Sequence, residues 1–289
     1  MKNIIEYILF LGLSFFSRLI GLNLSRRFSF CIAFLFYYFI PIRKKTVFEN
    51  LTNAFPEYSK EKIKKIAFGS YKSFSIALME ILYMPYMSKS EIKEIVYCSN
   101  PDLITKRFNE RNGVILLSAH YGNWEYVAAS VSVQVDIPFK VIVKSQRNPY
   151  VTKWLNNART KWTNEIVPLG ISIRQIYKEL KEKNIVAMVA DQRGPAEGIR
   201  VNFFGRKVSI YPGPAILSLK TNAPIIYGIN VRQPDFQYKT YLYEIDKKNL
   251  PENEEEKIVE LSQRHASYLE KLIRENPAQW LWMHKLWKY

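Results

Sequence analysis

GVILLSAHYGNWEYVAAS, residues 113–130, changes character at its midpoint. GVILLSA is a short apolar run with β-branched residues, opened by a glycine, and reads as a buried strand. Gly122 permits a tight turn, and Asn123 is a good helix N-cap. WEYVAAS then starts a helical pattern. Three more runs have the texture of that strand: FKVIV (139–143), NIVAMVA (184–190) and PIIYGIN (224–230). Helical patterns lie between them, over 124–134, 149–163, 172–183 and 213–222. Strand alternating with helix predicts an α/β fold whose mostly parallel sheet is flanked by helices. YKTYLYEI (238–245) alternates more and reads as an edge strand. Residues 251–276 read as one long amphipathic helix, whose acidic start suits the helix dipole.

Working toward the N-terminus, Ile63, Ile66, Ala67, Phe74, Ala77, Leu78 and Ile81 recur near a 3.6 period. They predict a helix over 57–86, with Ser59 as its cap. Before it the chain is strongly apolar. Residues 4–22 carry only Glu6 and Arg18 as charges, and residues 28–40 carry none. The spacing predicts an uncleaved membrane-anchor helix within residues 1–45, followed by an α/β domain over 46–289. A buried or interfacial helix pair is the second reading. A cleaved signal is the third, and the lack of an A-x-A-like site counts against it. Arg26, Arg27, Arg43, Lys44 and Lys45 flank the apolar runs and could face anionic headgroups on the cytoplasmic side.

The 289 residues hold 42 Lys and Arg against 26 Asp and Glu, a formal net charge of +16. Such a surplus favours an anionic partner: nucleic acid, anionic lipid or a phosphorylated metabolite. The cations are dispersed, with no zinc-finger spacing or RNP motif, which argues against nucleic acid. Cys31 and Cys98 give neither a disulfide framework nor a metal pair, and three scattered histidines add no ligand spacing, so no metal is expected.

On a continuous helix, His120 and Glu125 would point about 140° apart. The turn at Gly122–Asn123 changes that. His120 then ends a strand and Glu125 opens the next helix, on the sheet edge where open α/β folds bind ligands. A neutral imidazole can serve as a base near neutral pH, with a carboxylate fixing its tautomer. No G-x-S-x-G elbow supplies an enzyme nucleophile. As a bare pattern H-x4-E recurs by chance, and on it alone a structural histidine at a strand end is the slightly favoured reading.

H-Y-G-N-W-E (120–125) after an apolar strand resembles the H-x4-D/E motif of lysophospholipid-type acyltransferases, and most of all the lipid A biosynthesis (late) acyltransferase family. VADQRG (189–194) is similar to that family's D-Q segment. VNFFGRKVSIYPGPAILSLKTNAPII (201–226) resembles its F-G…G-P-A…A-P stretch, and WLWMHKLWK (280–288) its aromatic-basic C-terminus. With the apolar N-terminus, the resemblance covers residues 5–288. Ser218 and Lys220 depart from usually small, apolar positions.

The resemblance implies an enzyme of the bacterial inner membrane, its catalytic domain facing the cytoplasm. It would move a fatty acyl chain from acyl carrier protein to a hydroxyl, such as that of a 3-hydroxyacyl chain, on a phosphorylated lipid A precursor. No cofactor is implied. His120 would be the general base and Glu125 its orienting partner. Arg159, Asp191, Arg193, Asn123 and Gly122 are the candidate substrate-binding residues, and Phe203 and Phe204 the candidate acyl channel. Rival roles stay open: a cap for Asp191, an ion pair with Asp191 for Arg193, and plain core for the two phenylalanines. An acceptor such as an amino-lipid or phosphoglycolipid also fits, and so, more remotely, do a non-enzymatic basic membrane-surface protein and a hydrolase. His265 reads as packing. His284, among Trp280, Trp282 and Trp287, suits a membrane interface or packing against the domain.

Overall fold

A computed structural model describes residues 1–169 and 173–288. Five helices and a short strand precede the motif: α1 (Lys2–Phe34), α2 (Lys44–Ala54), α3 (Lys60–Tyr83), α4 (Lys89–Ile95), β1 (Val96–Cys98) and α5 (Asp102–Asn109). The α/β unit follows as β2 (Val114–Ser118), α6 (Trp124–Val135), β3 (Phe139–Val143), α7 (Pro149–Arg159), β4 (Glu165–Pro168), α8 (Ile173–Lys181) and β5 (Ile185–Val189). A hairpin, β6 (Ile199–Phe203) and β7 (Arg206–Ile210), leads to α9 (Gly213–Thr221), β8 (Ile225–Arg232), β9 (Tyr238–Glu244) and α10 (Glu254–Glu275). Of the helix expected over 172–183, Ser172 lies outside the described residues.

The seven-stranded sheet has the order β1-β9-β8-β2-β5-β3-β4. Only β8 and β9 pair antiparallel. β2 lies at the centre, and its residues are all buried because helices cover both faces. Its alternation feeds two cores. Ile115 and Leu117 join the core that includes α2, α3, α9 and α10, while Val114 and Leu116 join the one with α5 and α6. YKTYLYEI is not an edge strand: the unforeseen β1 pairs with β9 and takes that edge. The unforeseen β4 takes the other.

The predicted caps are present. Ser59 Oγ accepts from the Lys62 N–H (3.2 Å), and Asn123 Oδ1 from the Tyr126 N–H (3.3 Å).

The apolar N-terminal segment, Lys2–Phe39 with its last turn π-helical, is long and apolar enough to cross a membrane and is the candidate anchor. It breaks at Gly21 (φ 76°, ψ 166°), not at Arg26–Arg27. Arg26 does not flank a membrane surface. Its side chain is 3% exposed and forms an ion pair with Glu80, itself 0% exposed, Nε to Oε1 at 2.7 Å. A charge beside an apolar run reads as a flank in sequence; here the helix packs on α3, so the charge points inward to the Glu80 carboxylate.

Candidate active site

β2 and β5 pair in parallel register, with Ser118 opposite Val189. Two residues further along each chain stand His120 and Asp191, so the register itself makes them neighbours. His120 Nδ1 lies 2.7 Å from Asp191 Oδ1, and the His120 backbone N–H donates to Oδ2 at 2.8 Å. The imidazole is 22% exposed and the carboxylate 4%. Its other ring nitrogen, Nε2, makes no hydrogen bond among the described residues. Burial disfavours the imidazolium, but the charge and hydrogen bond of Asp191, with the Glu125 charge behind them, outweigh it and raise the His120 pKa. Burial likewise pushes Asp191 up, and His120 and Trp280 more than reverse it, so its pKa is lowered.

The orienting partner of His120 is therefore Asp191, not Glu125. Glu125 sits in the first turn of α6, as expected, but both its oxygens are taken. Arg159, in the last turn of α7, binds them as a fork, Nε to Oε2 at 2.7 Å and Nη2 to Oε1 at 2.6 Å. Glu125 thus acts on His120 through its charge, while Arg159 anchors Glu125.

The turn between them is fastened from below. Gly122 has φ +56°, and a Cβ there would meet Asn230 O at 2.0 Å, so only glycine fits. Its N–H donates to Gln279 O (2.9 Å). Gly122 lines a narrow cleft with His120, Ser73, Phe74, Trp124 and Trp280. Asn123 does not reach that cleft. It is fully buried, its Oδ1 caps α6, and its Nδ2 donates to Glu80 Oε2 at 3.0 Å. This corrects the substrate-binding expectation for Asn123 to a structural one. Glu80 also accepts from Tyr238 Oη (2.5 Å), and Arg232, 7% exposed, stands 4.0 Å away. Arg232 donates in turn to Tyr238 Oη, Ser73 and Gly122 O. Arg26, Glu80, Arg232, Tyr238 and Asn123 thus form one buried polar network under the His120 turn.

The C-terminal segment closes the other side. Trp280 Nε1 donates to Asp191 Oδ2 (2.8 Å), and the Leu281 N–H to His120 O (2.9 Å). Trp280 and Trp282 are buried, so packing, not a membrane interface, accounts for both. Phe203 and Phe204 are core as well. They pack edge-on against each other and beside Trp280 and Trp282, a filled aromatic wall where the acyl-channel expectation needed a gap. Arg193 reaches the same segment, donating to Lys285 O at 2.8 Å. His265 is buried in α10, as packing.

Trp280, Glu80 and Arg232 were not foreseen as site residues. The signal for Glu80 was a lone carboxylate in the apolar run SIALMEILY; for Trp280, the W-L-W spacing that puts two indoles on one face.

A family model described as bacterial lipid A biosynthesis acyltransferase matches residues 2–289. Among similar proteins, the lipid A biosynthesis palmitoleoyltransferase of Escherichia coli K12 is 21% identical over 256 residues, 86% of this chain and 80% of that one. The lipid A biosynthesis lauroyltransferase of the same organism is 21% identical over 252 residues, with the same coverage. The phosphatidylinositol mannoside acyltransferase of Mycolicibacterium smegmatis is 23% identical over 161 residues, 54% of this chain and 53% of its own length.

Proposed function

The chain belongs to the bacterial lipid A biosynthesis acyltransferase family, and on that premise we propose that it moves a fatty acyl chain from acyl carrier protein to a hydroxyl of a phosphorylated lipid A precursor. The observation that carries the reading is the imidazole of His120, held through Nδ1 by Asp191, with Nε2 left for substrate. Asp191 fixes the tautomer that places the ring proton on Nδ1. Nε2 then takes the proton of the acceptor hydroxyl as its oxygen attacks the thioester carbonyl. The carbon–sulfur bond breaks, and the departing thiolate recovers the proton from the imidazolium. The products are an ester and the free carrier thiol, with no enzyme-bound acyl group.

Glu125 and Arg159 act as a pair: Arg159 sets the carboxylate, and its charge supports the imidazolium. Arg193 and Gly122 stay assigned to the substrate side. The +16 surface complements both an acidic carrier protein and a phosphorylated lipid. Residues 1–45 serve as the membrane-attachment region and 46–289 as the catalytic domain, at the cytoplasmic face of the inner membrane, where the carrier protein is found. The mannoside acyltransferase relative supports a second reading, in which the acceptor is another phosphoglycolipid.

Membranes holding the wild-type chain or His120→Ala, incubated with acyl-carrier-protein thioester and tetraacylated Kdo–lipid A, test the assignment by product mass. Transfer is expected only with the wild type. Equal transfer by both removes His120 as the base. Transfer by the wild type to a mannoside or other glycolipid alone moves the acceptor to the second reading.

A further inference from the structure

The N-terminal segment has two arms, 2–20 and 22–39, meeting at Gly21, and both are tied to the α/β domain along their length. The first arm is held at its start by α7 and the residues before it. Asn148 Nδ2 donates to Asn3 O (2.7 Å), and Arg147 pairs with Glu6 (2.7 Å). Tyr7 stacks on Tyr150 at 5.5 Å, and Phe10 meets Trp154 edge-on at 4.8 Å. Further on, Ser14 Oγ donates to Leu82 O (2.9 Å). The second arm runs along α3, with the buried Arg26–Glu80 pair and Tyr37 against Tyr71 and Phe68. Ser14, Ser17, Ser25, Arg26 and Ser29 make the inner seam.

The outer faces are apolar. Leu9 and Leu19 are 70% and 68% exposed, and Ile5, Ile8, Phe15, Leu24, Phe34 and Phe39 are exposed with them. Lys2, Arg18 and Arg27 are exposed beside those faces.

The first arm is about 28 Å long, close to the hydrocarbon thickness of roughly 30 Å. If it stood across the bilayer, Glu6 would lie near the far surface. Arg147, Asn148 and the polar side chains of α7 would then be carried into or across the membrane with it. Charged side chains are excluded from that region unless paired or solvated, and Arg147 is 74% exposed. We propose that the segment does not cross. Both arms lie in the plane of one anionic phospholipid leaflet, on the side of the α/β domain, with the apolar faces among the acyl chains and Lys2, Arg18 and Arg27 at the phosphates. The chain is then attached to one face of the membrane, with residue 2 and the catalytic domain on the same side. The inference is independent of the role given to His120.

Single cysteines test it in the full chain, in a Cys31→Ser background, expressed in a Gram-negative host. Lys2→Cys and Lys271→Cys, the latter exposed on α10, are probed with a membrane-impermeant maleimide in spheroplasts and after lysis. The expected result is that neither labels in intact spheroplasts and both label after lysis. Labelling of Lys2→Cys alone in intact spheroplasts overturns the proposal. Nitroxides at Leu9→Cys and Leu19→Cys, in vesicles containing phosphatidylglycerol, are expected to collide with lipid-dissolved oxygen more than with an aqueous nickel complex, at similar shallow depths. Preference for the aqueous complex, a bilayer-centre depth at either site, or spin coupling to a second copy without lipid contact each overturns it.

Discussion

Asp191 holds His120 twice, once at the ring through Oδ1 and Nδ1 (2.7 Å) and once at the backbone through Oδ2 (2.8 Å). One carboxylate thus sets both the tautomer of the imidazole and the position of the strand end that carries it. Trp280 shares Oδ2, so the aspartate cannot rotate away without breaking three contacts.

Asp191→Asn is expected to lower kcat by ~10²–10⁴-fold, within the range a positioned base supplies. The pH profile carries a second signature. Asp191 raises the His120 pKa against burial, and the base proposed here would work neutral, so activity is expected to rise with pH through that raised value. With asparagine, burial prevails and the acid limb of kcat/KM should move to lower pH while its height falls. An unmoved limb would mean that another group titrates. The pair also bears on stability. The contribution of His120 is complete below the ordinary ~6.5 and fades as pH rises through its raised folded value. That of Asp191 is present above ~3.9 and is lost as pH falls through its lowered one. The ion pair therefore supports the fold most fully between those two ordinary values.

The strands, the Gly122 turn and the Asn123 cap were legible in residues 113–130 because each depends on neighbours a few positions away. The partner of His120 was not, because it depends on which strand lies beside β2 and in what register. Asp191 was visible as a residue at a strand end, but only the Ser118–Val189 pairing brings it to the ring. The same holds for Arg159, which reaches Glu125 from the end of α7. Trp280 stayed open between a membrane interface and packing, and Arg26 was misread, for a different reason. Aromatic-basic and apolar-basic clusters look alike whether they face lipid or fill a core, and only packing separates the two.

Arg159→Met is expected to cut activity while leaving His120 and Asp191 in place. It strips Glu125 of both hydrogen bonds inside a site where the two side chains are 14% and 12% exposed. Breaking such a pair from one side destabilises by about 3 kcal/mol. Glu125→Gln with Arg159→Met should recover much of the lost Tm but not the activity, since the charge behind the imidazolium is gone. Thermal unfolding in detergent, read beside acyl transfer, separates the two effects. Full recovery of activity in the double variant would deny Glu125 its electrostatic role.

Arg26→Met should destabilise more than a usual surface change, by about 3–5 kcal/mol, because Glu80 keeps a buried charge with Arg232 only at 4.0 Å. Arg26→Met with Glu80→Gln removes the uncompensated charge and should restore most of that loss. A thermal-melt double-mutant cycle measures the coupling. Additive losses would show that the two residues do not act through each other. The single variant is also expected to weaken acyl transfer, because Glu80 holds Asn123 under the His120 turn.

His265 gives the fold an acid-sensitive point away from the active site. Its ring is buried in α10, Nε2 has no hydrogen-bond partner among the described residues, and burial lowers its pKa to about 4. The unfolded chain protonates this histidine near ~6.5, so between that pH and about 4 the unfolded state binds a proton that the folded state refuses. Stability should fall as pH falls through that window, at ~1.4 kcal/mol per pH unit from this group, about 3 kcal/mol in all. His265→Leu removes the group and keeps an apolar filling. Melts of the two proteins in detergent from pH 7.5 to 4.5 should therefore diverge below about pH 6.5, with the variant losing less. Parallel curves would show that the folded protein accepts the proton at this site.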